Sequence, residues 1–178
     1  KQASRWLDYC AERPVEFVEQ PISANARGAQ DILLGLANDF PTPIALDESL
    51  VTEGDIERTA GCGWRGIYVV KPSLLAHPRV ALQRLSTADI VFASALETAL
   101  GARAALQLAY EWTGKRRALG FGIWPLFEDS RFDGPYTMPF LNVSELNRIE
   151  PESLWNALSG SKFCARPDAP KNTGANGF

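Results

Sequence analysis

Short apolar runs alternate with longer amphipathic stretches along this chain, and the alternation predicts its elements. Arg5 to Glu12 reads as a helix-like opening segment. Val15-Glu16-Phe17-Val18 is β-branched and aromatic, opened by Pro14 and closed by Pro21, and reads as a strand. Ala26 to Leu36 reads as a helix, with Ile32, Leu33 and Leu36 on one face. Pro41 and Pro43 bracket the next strand, Ile44-Ala45-Leu46. Thr52 with Asp55 forms an acidic capping box for a helix to Ala60, which Gly61-Cys62-Gly63 ends. Gly66 to Val70 is a third strand, stopped by Pro72, and Pro78 to Leu85 a helix. Asp89 to Ala93 is a fourth strand, and Glu97 to Trp112 the longest helix. Ala118 to Phe121 is a weaker fifth strand.

Strands alternating with helices imply parallel βαβ units, and near-continuous apolar strands imply a sheet covered on both faces. The strand ends recur every 25 residues or so, the spacing of a (β/α) barrel. The fold class expected is therefore α/β, with residues 1–126 forming a partial barrel of about five βα units. A closed barrel needs about eight, so the chain is expected to belong to a longer polypeptide. The alternative is a small doubly wound domain with both sheet edges open. Residues 127–178 are a separate segment. They begin turn-rich, with Gly134, Pro135 and Pro139, carry a short helix from Pro151 to Leu158, and end in a Pro/Gly/Asn tail expected to be loose.

Four strands end on a polar residue: Glu19, Asp47, Lys71 and Ser94. In parallel α/β folds, function sits at those C-terminal strand ends. Glu19 and Asp47 on neighbouring strands are candidate ligands for a hard cation, Mg2+ with Mn2+ as the substitute. Lys71 faces the same mouth, where an ammonium stabilises developing negative charge or moves a proton. Glu48 follows Asp47 directly and so points elsewhere, as a residue that orients a ligand or the lysine. Each also has a purely structural reading: either carboxylate as a helix cap, Lys71 as a side chain reaching for water, Glu97 as a first-turn helix acid. Three in successive strand-end positions weigh toward a site.

Composition narrows the chemistry. The 178 residues are 46% hydrophobic and 22% charged, with a net charge of −3 and a pI near 5.3. No basic surface for nucleic acid is implied, and no run reaches the roughly 18 apolar residues of a membrane span. Cys10, Cys62 and Cys164 form no CxxC pair, so free thiols and a cytoplasmic, reducing setting are expected. His77 is the single histidine and precedes Pro78, which leaves proton transfer to carboxylates and lysines. Trp112, Trp124 and Trp155 read as packing anchors.

The strand-end motifs Val18-Glu19-Gln20-Pro21, Ala45-Leu46-Asp47-Glu48-Ser49, Val70-Lys71-Pro72-Ser73 and Ser94-Ala95-Leu96-Glu97-Thr98 together resemble the enolase superfamily, most of all its o-succinylbenzoate synthase family. The resemblance covers about Ala11 to Gly101, with Trp155-Asn156-Ala157-Leu158 also similar. It implies a barrel closed by a capping domain, to which 127–178 would return. It implies Glu19 and Asp47 as two of three magnesium carboxylates, and Lys71 as the lysine that stabilises an enediolate by charge. Ser94 is then the contact for a small-molecule carboxylate substrate. The implied reaction is dehydration of a cyclohexadiene carboxylate in menaquinone or phylloquinone synthesis. The third carboxylate, the proton-transfer lysine and the N-terminal part of the cap would come from upstream sequence, so the chain alone is expected to be inactive. No histidine stands where the mandelate-racemase branch uses one, and no Asp-x-Asp follows the last strand as in dipeptide epimerases. N-succinylamino acid racemase stays open. Two other classes remain: a Schiff-base aldolase with Lys71 as nucleophile, and a non-catalytic docking subunit.

Overall fold

The structure, a computed structural model, describes residues 1–135 and 140–160. In chain order it runs α1 (Gln2–Ala11), β1 (Val18–Glu19), α2 (Ala29–Asp39), β2 (Ile44–Leu46), α3 (Glu53–Gly61), β3 (Ile67–Val70), a 3-10 turn (Pro72–Leu74), α4 (Pro78–Arg84), β4 (Asp89–Phe92) and α5 (Ala99–Glu111). A second 3-10 turn (Ser130–Phe132), α6 (Val143–Asn147) and α7 (Pro151–Gly160) follow. The sheet is parallel, in the order β1-β2-β3-β4, with Glu19 level with Ala45, Ala45 with Ile67, and Ile67 with Asp89. Sequential parallel strands joined by helices are the expected α/β pattern.

Strand alternation sorts the side chains onto two faces. Ile44, Leu46, Tyr68, Val70, Ile90 and Phe92 pack toward the helices, joining Leu33, Leu36, Ile56, Leu82, Ala102 and Leu106 in the main core. On the other face Ala45, Ile67, Val69 and Val91 form a second, smaller cluster with Phe17 and Ala93. Glu19, Asp47 and Lys71 share the parity of this second face, so the site tops the inner cluster and not the helix-side core. Each large aliphatic side chain buried in either layer is worth about 1.5–3 kcal/mol.

Local chemistry sets the boundaries. α3 starts where read: Thr52 Oγ1 accepts from Asp55 N (3.2 Å) while Asp55 Oδ2 accepts from Thr52 N (2.9 Å). α2 starts three residues later than the pattern suggested, because Gly28 holds a left-handed φ of 71° at its N-cap. Its buried face is Ala29, Leu33 and Leu36, and Ile32 is exposed. The fifth strand shrinks to one parallel bridge, Ala93 with Gly120, made by Gly120 N to Phe92 O (2.8 Å) and Ser94 N to Gly120 O (3.0 Å). The residues before it are drawn off by charge. Arg117 donates to both oxygens of Asp89 (2.6 Å each) and to Glu16, joining the start of β4 to the approach to β1.

The segment after α5 folds back on that helix. Tyr110 Oη donates to Leu141 O (2.6 Å), Arg103 Nη1 donates to Ile149 O (3.0 Å), and Leu146 is buried. Trp124 is buried and Trp112 largely so, but Trp155 is 62% exposed on α7 and anchors nothing in the core. Cys164, Pro139 and the tail from Ala165 lie outside the described residues.

Candidate active site

Glu19 is the last residue of β1, and Asp47 and Lys71 each directly follow the last residue of β2 and β3. Lys71 Nζ is ion-paired with Asp47 Oδ1. Asp47 is only 8% exposed, so its charge is held mostly out of water against the ammonium. The Glu19 carboxyl lies within hydrogen-bonding reach of Asp47, and its pKa is raised above the ordinary value. Desolvation is the main cause and the neighbouring Asp47 the next; Lys71 pulls the other way without reversing it. As a residue Glu19 is exposed on the edge strand, so the shift reports a carboxyl turned inward from a solvated rim.

The loops hold these groups. Gln20, which the sequence did not mark as functional, places its amide between β1 and the β2 loop. Its Oε1 accepts from Asp47 N (3.0 Å) and Ser49 N (3.3 Å), and its Nε2 donates to Ser49 Oγ (2.9 Å) and Ile22 O (2.7 Å). The one signal available was an amide next to a candidate ligand. Glu48 is exposed and faces away, lining a cavity of about 310 Å³ with Leu33, Asp55, Arg58, Cys62 and Trp64, yet its charge still raises Glu19.

Ser94 is buried at the end of β4, apart from the acidic pair in hydrogen bonding. Its Oγ accepts from Leu96 N (3.0 Å) and donates to Glu97 Oε2 (3.1 Å). Glu97 also accepts from Ala95 N, which folds its carboxylate back over a turn whose Leu96 has φ 63°. This is why α5 begins at Ala99 and why Glu97 is not a first-turn helix acid. His77 stands at the N-cap of α4, its backbone N–H donated to Glu53 (2.7 Å), away from the mouth.

Two inward carboxyls balanced by one ammonium suit a divalent cation with a taste for hard oxygen, since it would relieve their mutual repulsion. Glu19 and Asp47 supply two such ligands; among the described residues no group of three or more His, Cys, Asp or Glu gathers around one point. Among those residues, too, no helix is long and apolar enough to cross a membrane.

No family profile matches the chain. o-Succinylbenzoate synthase of Thermosynechococcus vestitus strain BP-1 is 38% identical over 122 residues, 66% of this chain and 37% of that protein. The crystal structure of o-succinylbenzoate synthase from Thermosynechococcus elongatus BP-1, complexed with magnesium in its active site, superposes with a TM-score of 0.61. That match has 32% identity and covers 87% of this chain and 45% of the other. A hydrophobic dipeptide epimerase of Roseobacter litoralis is 45% identical over 56 residues, 32% of this chain and 15% of the epimerase. The chain thus spans less than half the length of the relatives it matches. With its parallel sheet of sequential βα units and these likenesses, the chain is similar to the o-succinylbenzoate synthases of the enolase superfamily over the part of their length that it spans.

Proposed function

We propose that this chain contributes the acidic pair and the electrostatic lysine of an o-succinylbenzoate synthase-type active site. The reaction is the magnesium-dependent dehydration of 2-succinyl-6-hydroxycyclohexadiene carboxylate in quinone biosynthesis, with the chain acting in the cytoplasm. The observation that carries the reading is the Lys71–Asp47 pair with the Glu19 carboxyl beside it, on one face at the chemical end of the sheet.

Glu19 and Asp47 would hold the magnesium, which when bound supplies Lewis acidity toward the substrate carboxylate. Lys71 stabilises the negative charge that grows on that carboxylate as the neighbouring carbon loses its proton. The inner cluster of Ala45, Ile67, Val69 and Val91 floors the site and keeps water from below. Ser94 and its turn, just past the end of β4, would contact the substrate carboxylate. The proton itself moves on a group outside the described residues, as does the third anionic ligand; further barrel strands and a capping segment supply them in this reading.

The test joins this chain, or mixes it, with the N-terminal strands of the Thermosynechococcus relative and follows aromatisation of the substrate by ultraviolet absorbance. Turnover that EDTA abolishes and Asp47→Asn removes supports the proposal. Turnover indifferent to both sinks it. The likeness to a dipeptide epimerase favours one second reading, inversion at the α-carbon of an amino-acid-type carboxylate at the same residues, for which an N-succinylamino acid is the substrate to try. Exchange of the substrate α-hydrogen with solvent deuterium, without dehydration, would select it.

A further inference from the structure

The end of β1 carries more than a ligand. Gln20 directly follows Glu19 and adopts φ 40°, a left-handed conformation uncommon for a side chain of its size. Its own N–H still completes the ladder to Ala45 O (2.8 Å). A continued strand would send Gln20 to the helix-side face, opposite Glu19. The left-handed backbone brings it across to the β2 loop instead, where its amide makes the four hydrogen bonds described above, to Asp47 N, Ser49 N, Ser49 Oγ and Ile22 O.

The consequence is a fixed spacing. Two ionised carboxyls repel, and a mobile loop would let Asp47 drift from Glu19. Asp47 cannot shift its peptide without breaking the bond to Gln20 Oε1, and Gln20 is covalently next to Glu19. The backbone strain is compensated by a side chain with all its polar atoms satisfied.

We infer that Gln20 is a positioning residue, setting the distance between Glu19 and Asp47 for a divalent cation. The inference rests on the cation reading of that pair. Gln20 touches no reacting atom; it acts through the two carboxylates, as outer partners of metal ligands do.

The test uses the full 178-residue chain and Mn2+ alone as probe. Gln20→Met keeps the volume and deletes all four bonds. Titrations run well below each variant's unfolding midpoint, with amide hydrogen exchange at Asp47 and Ser49 followed in the same samples. The expected result is faster exchange at both amides and a rise of about tenfold in the Mn2+ Kd. Gln20→Glu retains an acceptor at the same reach and recovers most of the affinity at high salt, which screens its added charge. Ser49→Ala, a milder cut of one bond, gives a smaller rise and keeps the test alive if Gln20→Met does not fold. A purely structural brace would lower the unfolding midpoint and leave the affinity of folded protein alone. An unchanged Kd in folded Gln20→Met, with binding lost in Asp47→Asn, overturns this inference and spares the metal reading. A wild-type chain that binds no Mn2+ overturns both.

Discussion

The ammonium of Lys71 bonds Asp47 across two neighbouring parallel strands, so one cation is set against two carboxyls. That arrangement gives Lys71→Met two opposite effects. In the free chain the ammonium competes with any metal for Asp47; deleting it is expected to tighten Mn2+ binding about threefold to tenfold by charge alone. In the assembled enzyme the same deletion removes the group that stabilises developing charge, and turnover is expected to fall by about 10²–10³. Mn2+ titration and substrate aromatisation measure the two sides. Affinity and turnover that fall together would mean that Lys71 merely holds the fold.

Glu19→Gln is expected to stabilise the metal-free chain at neutral pH. Desolvation and Asp47 raise the Glu19 pKa above 4.5. A carboxyl with a raised folded-state pKa weakens the fold as pH climbs from its unfolded value through its folded one, and the penalty persists above that. Removing the charge removes the penalty. With the residue exposed on the edge strand, screening keeps the gain under about 1 kcal/mol. It vanishes well below pH 4.5, where the wild-type carboxyl is protonated in both states. Urea unfolding of both proteins at acid and neutral pH measures it, and a destabilised neutral-pH variant would contradict the account.

Much of this was legible in the chain, and what was not has physical reasons. Ile44–Leu46 and the Thr52–Asp55 capping box appear where the pattern put them, because prolines and a cap fix them locally. Glu19, Asp47 and Lys71 fall on one face because the strand period of two is rigid. Gln20 was missed because its role depends on a left-handed φ and on a loop 27 residues away. The fifth strand was over-read: Ala118 and Leu119 are apolar, but Arg117 before them is tied to Asp89 and Glu16, and only Gly120 reaches the ladder. Trp155 shows the limit of size as a guide to burial.

Arg117→Met is expected to cost about 1 kcal/mol, since solvent screens much of the pairing, and to flatten the acid limb of the stability curve. Hydrogen bonding from Arg117 is the largest influence holding the Asp89 pKa below its ordinary 3.8. A depressed carboxylate contributes stability above its unfolded pKa and loses it as pH falls through the folded one. In the variant Asp89 keeps only Lys115, at 3.2 Å and largely exposed, so part of that contribution is gone at neutral pH. Denaturant unfolding at neutral pH and well below pH 3.8 tests both parts. An equal loss at the two pH values would show that packing of the arginine stem, and not its charge, mattered.

Gly66→Ala is expected to be among the most damaging single methyl additions in the sheet. Gly66 precedes β3, where the chain passes under the indole of Trp64 and beside β2. A Cβ there would lie 2.5 Å from Ile44 O and 2.5 Å from the Trp64 ring. Neither neighbour is a flexible tip. Ile44 O belongs to a ladder strand, and Trp64 is 6% exposed, its Nε1 donating to Ile67 O at 3.4 Å. Relief requires β2 and β3 to part, which strains the register that brings Asp47 and Lys71 together. The cost is set at about 1–3 kcal/mol, the range for overpacked cores and above that of an ordinary surface change. The same displacement should loosen the Lys71–Asp47 pair, so Mn2+ affinity of the folded variant is expected to change as well. Alanine at Gly61, where nothing lies within 4 Å of the new methyl, is the control. Equal unfolding midpoints for the two variants would refute the close-packing argument.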